Sequence, residues 1–349
     1  MSGMAPARRR LVDRLPVLRQ LRQSVGLQRG MLITGLVIVT LFLLLALFAA
    51  VIAPYGFSQL RSGETAFGAQ QPPSPQHPFG TTVGGYDVLS RVLWGAQTAL
   101  LVIVAAVILS FFLGVFLGLV SGYLGGWLDR TLVMINDAMY AFPSLLLAIV
   151  VSIMISGGQS NLGAGIIAAA ISITVVYIPQ YFRVVRAETV RLTSSAFVEA
   201  AKVIGATTPR IMFRHVLRNA TRTLPLIFTL NSSEAILTLA GLGFLGFGIE
   251  PTSAAEWGYD LNKALSDVSS GIWWTSVFPG LAIVLVVLGI TLVGESVNDL
   301  ADPRLRDRRA VAAGAGEIVA TSVVPGGVLA AAGRETPRQH PDAGVERTR

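Results

Sequence analysis

Six runs of about twenty apolar residues constrain this chain more than anything else in it. They lie at about 31–53, 96–120, 132–155, 164–182, 224–247 and 272–293. A helix needs ~20 apolar residues to cross the hydrocarbon core, and only backbone that satisfies its own hydrogen bonds is stable there. Each run is therefore read as a transmembrane helix, and the chain as an all-α polytopic membrane protein. Composition agrees, with 13% charged and 52% apolar residues where soluble domains carry about a quarter charged. The first run ends at Pro54 and exceeds the ~7–15 residues of a signal-peptide core. It reads as an uncleaved anchor.

The formal charge of +7 suits either nucleic acid or an anionic membrane surface. The basic residues flank the apolar runs and form no compact patch, so the partner is the lipid bilayer and no nucleic acid is expected. Seven arginines precede the first run, eight basic residues follow the fourth between Arg183 and Arg222, and eight more lie in the C-terminal tail. Only Arg61, Arg91 and Lys263 fall on the other side. The positive-inside rule then places both termini and the 187–223 loop in the cytoplasm. The expected divisions are a basic tail (1–30), a first span with an extracytoplasmic loop (31–95), a five-span core (96–300), and a disordered tail (301–349). Cysteine is absent, which removes disulfides and thiol chemistry.

The polar residues offer no catalytic constellation. His77, His215 and His340 fall on different sides or in the tail, and HExxH, GxSxG and GxxxxGK[ST] are missing, so neither catalytic nor metal residues are assigned. Asp129 and Asp137 read as ion-pair or capping residues, with a proton relay as the alternative. Glu234 lies inside a predicted span, where a carboxylate is expensive and is either functional or satisfied by packing. Glycines 241, 243, 246 and 248 permit close helix approach or a gate. Pro143 and Pro179 should kink or interrupt their helices. Trp257, Tyr259, Trp273 and Trp274 read as interfacial anchors, or alternatively as part of a lid.

One loop is polar and still helical: FVEAAKVIGATTPRIMFRHVLRNA, residues 197–220. Ser194 and Ser195 can cap a helix starting at Ala196, whose apolar stripe is Phe197, Ala200, Ala201 and Ile204. Gly205 sits where a left-handed residue would end that helix. Thr208 would cap a second helix with Pro209 in its first turn. A small-residue stripe with a fixed exit angle suits docking into a groove on another protein. An amphipathic helix lying on lipid is the alternative.

These residues closely resemble the EAA loop of permease subunits in binding-protein-dependent ABC importers. The wider match is to the dipeptide/oligopeptide and nickel subfamily (DppC/OppC-like), through HPFGT, DVLSRVLWGAQTAL, SGYLGGWLDR, DAMYAFPSLLLAI, FLGFG, WGYDL and DPRLR. The resemblance implies a six-helix type I importer permease fold with a cytoplasmic coupling loop. It further implies a second permease subunit, two cytoplasmic ATPases that bind ATP and Mg, and an extracytoplasmic solute-binding protein. This chain would hold no cofactor and would not be an enzyme. The ATPase contact would comprise Phe197, Val198, Glu199, Ala200, Ala201, Gly205, Ala206 and Thr207, with Glu234 as a pathway or packing residue. The chain departs from the family at Arg218, where Pro is usual, at Thr82 and Tyr86, where charges are usual, and at Leu239, where Glu is usual. Import of di- or oligopeptides across the bacterial plasma membrane is the expected function. Nickel or another small solute, an ion-driven secondary transporter, and a scaffolding membrane protein are the competing readings.

Overall fold

The computed structural model describes residues 27–156, 164–221 and 224–301. The tail expectations for 1–26 and 302–349 lie outside the described residues, as does Arg222. Helix α1 (Leu27–Leu47) and the short α2 (Ala49–Ile52) lead into an extended loop carrying a two-residue hairpin, β1 (Arg61–Ser62) against β2 (Thr65–Ala66). There follow α3 (Val88–Leu124), α4 (Gly126–Ala141), α5 (Ser144–Ser156), α6 (Ala164–Thr193), α7 (Ala196–Val203) and α8 (Thr208–Arg210). A π-helical segment (Ile211–Val216) then leads to α9 (Leu217–Ala220), α10 (Leu224–Phe244), α11 (Trp257–Lys263), α12 (Leu265–Ser269) and α13 (Trp274–Ala301). The all-α reading stands apart from that hairpin, which the prolines of the loop leave as its local regular structure.

Helices α1, α3, α6, α10 and α13 are long and apolar enough to span a membrane, and α4 with α5 forms a sixth, broken element. The third expected span is thus corrected: it bends by 104° between Ala141 and Ser144. Pro143 removes a backbone donor and forces Phe142 to an extended ψ of 142°. The 13 residues of α5 rise only ~20 Å, short of a full crossing. Pro179 acts differently. It lies inside α6, which runs unbroken for 30 residues from Ala164 to Thr193, so this proline interrupts nothing. The second span is also longer than expected, at 37 residues.

Helix α6 is the central element, with Tyr177, Tyr181, Phe182 and Val185 almost fully buried. Its main neighbour is α3, which presents Gly114, Gly118 and Gly122 at a spacing of four. A Cβ at Gly114 would lie 2.6 Å from the Tyr181 Cβ. One at Gly118 would lie 2.6 Å from the Phe182 carbonyl oxygen, and one at Gly122 2.8 Å from that of Arg186. The two backbones therefore touch along two helical turns, with no side chain between them.

At one end of the bundle the 53–91 and 249–275 segments pack into a polar layer. Asp87 caps α3 by accepting from the Ser90 amide and hydroxyl, each at 2.7 Å, and pairs with His77 Nδ1 at 2.9 Å. Trp257 is 2% exposed, donates to the Val92 carbonyl and meets Phe42 edge-on. It is a core residue, not the interfacial anchor expected. Trp274 donates to the Thr81 carbonyl, which leaves Trp273 as the exposed indole of that group.

Candidate functional site

The loop at the opposite end folds as helix, turn, helix. Ser195 takes the N-cap position of α7 with extended backbone, but its hydroxyl turns back to the Leu192 carbonyl and caps nothing. The helix ends at Gly205, whose φ is +80°. Gly205 N–H donates to Lys202 O and Ala206 N–H to Ala201 O, each at 3.0 Å. These two bonds make a Schellman ending, which needs a left-handed residue at this position. The second cap falls on Thr207, one residue before the expected Thr208, with Pro209 in the first turn.

The expected stripe divides in two. Phe197, Ala200 and Ile204 are exposed, Ile204 at 83%, and Val203 beside them reaches 86%. Ala201 turns inward with Val198, which is fully buried where α7 packs on the π segment and the end of α6. Of the eight residues assigned to the contact, Phe197, Glu199, Ala200, Gly205 and Thr207 are open at the surface, and Ala206 is half-buried. Val198 and Ala201 hold the helix down. Phe197, Ala200, Ile204, Gly205, Arg210 and His215 line a shallow open depression. Arg218 lies exposed in α9, which ends two residues later at Ala220.

Next to this loop, α4 is fastened to α6. Arg186 grips Asp129 with two bonds of 2.6 and 2.7 Å, and Ser121 Oγ donates to the same carboxylate at 2.5 Å. Arg183 pairs with Asp137 at 2.8 Å and stacks over the Tyr140 ring at 4.0 Å. The two aspartates are therefore ion-paired, as expected, but to arginines 57 and 46 residues away instead of to local partners. Missed entirely was the glycine triplet of α3, although its spacing of four was present in the sequence.

Glu234 is exposed on α10, so it is not satisfied by packing within this chain. Leu239, at the position where the family usually has Glu, is 1% exposed. Five residues turn a helix by about 140° beyond a full rotation, so Glu234 does not stand in for it. Gly243 does permit close approach, since a Cβ there would overlap Glu256 Oε2 at 1.7 Å. Gly246, at φ +84°, instead closes α10 with the same turn as Gly205.

The polar layer at the far end was also illegible in advance. Arg91 Nε donates to both oxygens of Asp260, at 2.7 and 2.9 Å, and its Nη1 to the Phe57 carbonyl. Glu256 caps α11 through the amides of Gly258 and Tyr259, each at 2.7 Å. Burial nevertheless pushes its carboxyl up to about 8. Thr82 N–H donates to the Tyr86 carbonyl at 2.9 Å, and Tyr86 N–H to Thr82 Oγ1 at 3.1 Å.

The sequence family described as "Binding-protein-dependent transport system inner membrane component" matches residues 114–307. The chain is 39% identical over 285 residues to a glutathione transport system permease protein of Shigella flexneri, covering 80% of this chain and 88% of that one. It is 37% identical over 285 residues to the same-named protein of Escherichia coli O157:H7, with equal coverage. To a dipeptide transport system permease protein of Alkalihalophilus pseudofirmus it is 36% identical over 274 residues, covering 78% of this chain and 86% of the relative.

Proposed function

The chain belongs to the family of binding-protein-dependent transport system inner membrane components, and from that premise we propose that it forms half of the translocation pathway of an ATP-driven importer of di- and oligopeptides. Its partners are a second permease subunit, two cytoplasmic ATPases that bind the ATP and Mg, and an extracytoplasmic solute-binding protein. The α7 loop and both termini face the cytoplasm of a bacterial cell, in keeping with the distribution of arginines. The peptide substrate is supported by the relatives, whose names refer to glutathione and to dipeptides.

One observation carries the docking role of α7. Its apolar residues Phe197, Val203 and Ile204 are exposed on a helix of eight residues whose exit angle is fixed by Gly205. A short rigid knob of this kind fits a groove on another protein.

The test is uptake of labelled dipeptide by the reconstituted importer. Ile204→Asp and Glu199→Lys change exposed positions, so the subunit still inserts and pairs. Uptake should fall by about tenfold or more, as for loss of a contact anchor, and ATP hydrolysis should lose its response to loaded binding protein. Gly205→Pro should do the same, because proline cannot adopt φ +80°. Normal uptake by all three variants, or uptake without any ATPase subunit, refutes the assignment.

A further inference from the structure

Glu234 is the eleventh of the 21 residues of α10, ~15 Å from either end of the helix and hence near the bilayer midplane. Its side chain is exposed and makes no hydrogen bond or ion pair with the described residues. Leu230 and Leu237, at i−4 and i+3, are 49% and 53% exposed. One flank is closed by the buried Asn231 and Thr238, at i−3 and i+4, and the far side by the buried Ala235, Ile236 and Leu239. One open stripe thus runs along α10 with a carboxylate at its centre. Among the described spans, the other charged side chains sit towards the helix ends.

Lipid cannot cover that stripe cheaply, since an acidic side chain at a helix centre costs roughly 2.5–3.5 kcal/mol even on the mildest scale. Internal packing does not cover it either. Water or a polar solute is what a lone midplane carboxylate requires, and a carrier's solute path supplies both. We propose that Glu234 lines the solute path at the seam with the second permease subunit, where its carboxylate receives the ammonium group of the peptide in transit. This rests on the importer reading above. A single carboxylate holds an ammonium group weakly enough to release it, as conduction demands.

The chain contains no cysteine, so Leu237→Cys gives this subunit a single thiol, a turn from Glu234, within the assembled importer. Labelling this subunit with cationic and anionic thiosulfonates of equal size reads the local charge. Both reagents should react from the aqueous phase, the cation roughly threefold faster or more. That preference should vanish when Glu234→Gln is added. Uptake of a free-amine dipeptide should fall about tenfold in Glu234→Gln alone, the equivalent of one charge-assisted contact, while ATP hydrolysis still responds to loaded binding protein. No labelling in any nucleotide state, a cation preference unchanged by Glu234→Gln, or failure of Glu234→Gln to assemble would overturn the proposal. The importer reading fails separately, if the wild-type complex takes up no peptide with ATP and binding protein present.

Discussion

The buried pair Arg91–Asp260 gives the sharpest energetic test of this fold. Its side chains are 2% and 9% exposed, and 169 residues separate them. Arg91→Met removes the guanidinium from both carboxylate oxygens and from the Phe57 carbonyl, stranding Asp260 with no counter-charge. Breaking such a pair costs about 3–5 kcal/mol, because desolvation of the remaining charge is no longer offset. Asp260→Leu should cost a similar amount by stranding Arg91. The double variant Arg91→Met/Asp260→Leu removes both charges, and replacement of a buried pair by apolar residues is often near neutral. The sum of the two single losses, about 6–10 kcal/mol, should therefore exceed the double loss by several kcal/mol, which is the coupling energy of the pair. Denaturant titration of the solubilised subunit measures this. Trp257 is a convenient reporter, since its indole bonds to Val92, one residue from Arg91. Additive losses, or single losses under ~1 kcal/mol, would show that the pair does not hold the 53–91 loop to α11.

Two further predictions concern close contacts and pH. Gly118→Ala places a methyl 2.6 Å from the Phe182 carbonyl and 3.1 Å from the Arg186 nitrogen. Backbone atoms cannot rotate away, so α3 and α6 must separate, which should lower stability by about 1–3 kcal/mol and lower the thermal midpoint of the purified subunit; an unchanged midpoint would contradict the packing. Glu256, normally near 4.5 and raised to about 8 by burial, favours its protonated form in the fold. Its contribution is present in full below about 4.5 and is lost as pH rises through 8. Amide exchange of 257–263, corrected for its intrinsic pH dependence, should accelerate across that window, and Glu256→Gln should flatten the response.

What the sequence made legible was local. Gly205 could be placed because a left-handed ending depends on residues within five positions, and its two bonds to Lys202 and Ala201 lie in that range. The spans were legible for the same reason, since hydropathy is a property of contiguous residues. Pro143 and Pro179 looked alike in sequence. One sits in a break of 104° and the other inside a continuous helix. The surroundings differ, since α6 packs against α3, α5 and α10 and α4 against α3 and α6. The role of Trp257 was misread because belt and core positions share a hydropathy pattern. Only the α3 segment around Val92 and the Phe42 ring, both distant in sequence, decide that it is core. Arg91 and Asp260 fail in the same way: nothing nearby in either segment announces the other.

These distant contacts share one mechanical consequence, which centres on α6. Its 30 residues make a rod ~45 Å long. At one end Gly165 lies against Ile249, which leads into the polar layer; at the other, Ser194 and Ser195 alone separate it from α7. A flexible rod would absorb a displacement of α7. This one is bound along its flank by backbone contact with α3 at three glycines, and it carries α4 through Arg183 and Arg186. Val198 is fully buried where α7 packs against the end of α6 and the π segment, so a shift of α7 should carry the end of α6. Close-packed interiors respond to such shifts by moving as units. The Asp129–Arg186 clasp then makes the bent span follow the same movement, and α5 bonds through Ser152 to the Phe247 carbonyl just beyond α10. The exposed knob on α7 and the open stripe bearing Glu234 are thus joined through elements packed and bonded to one another.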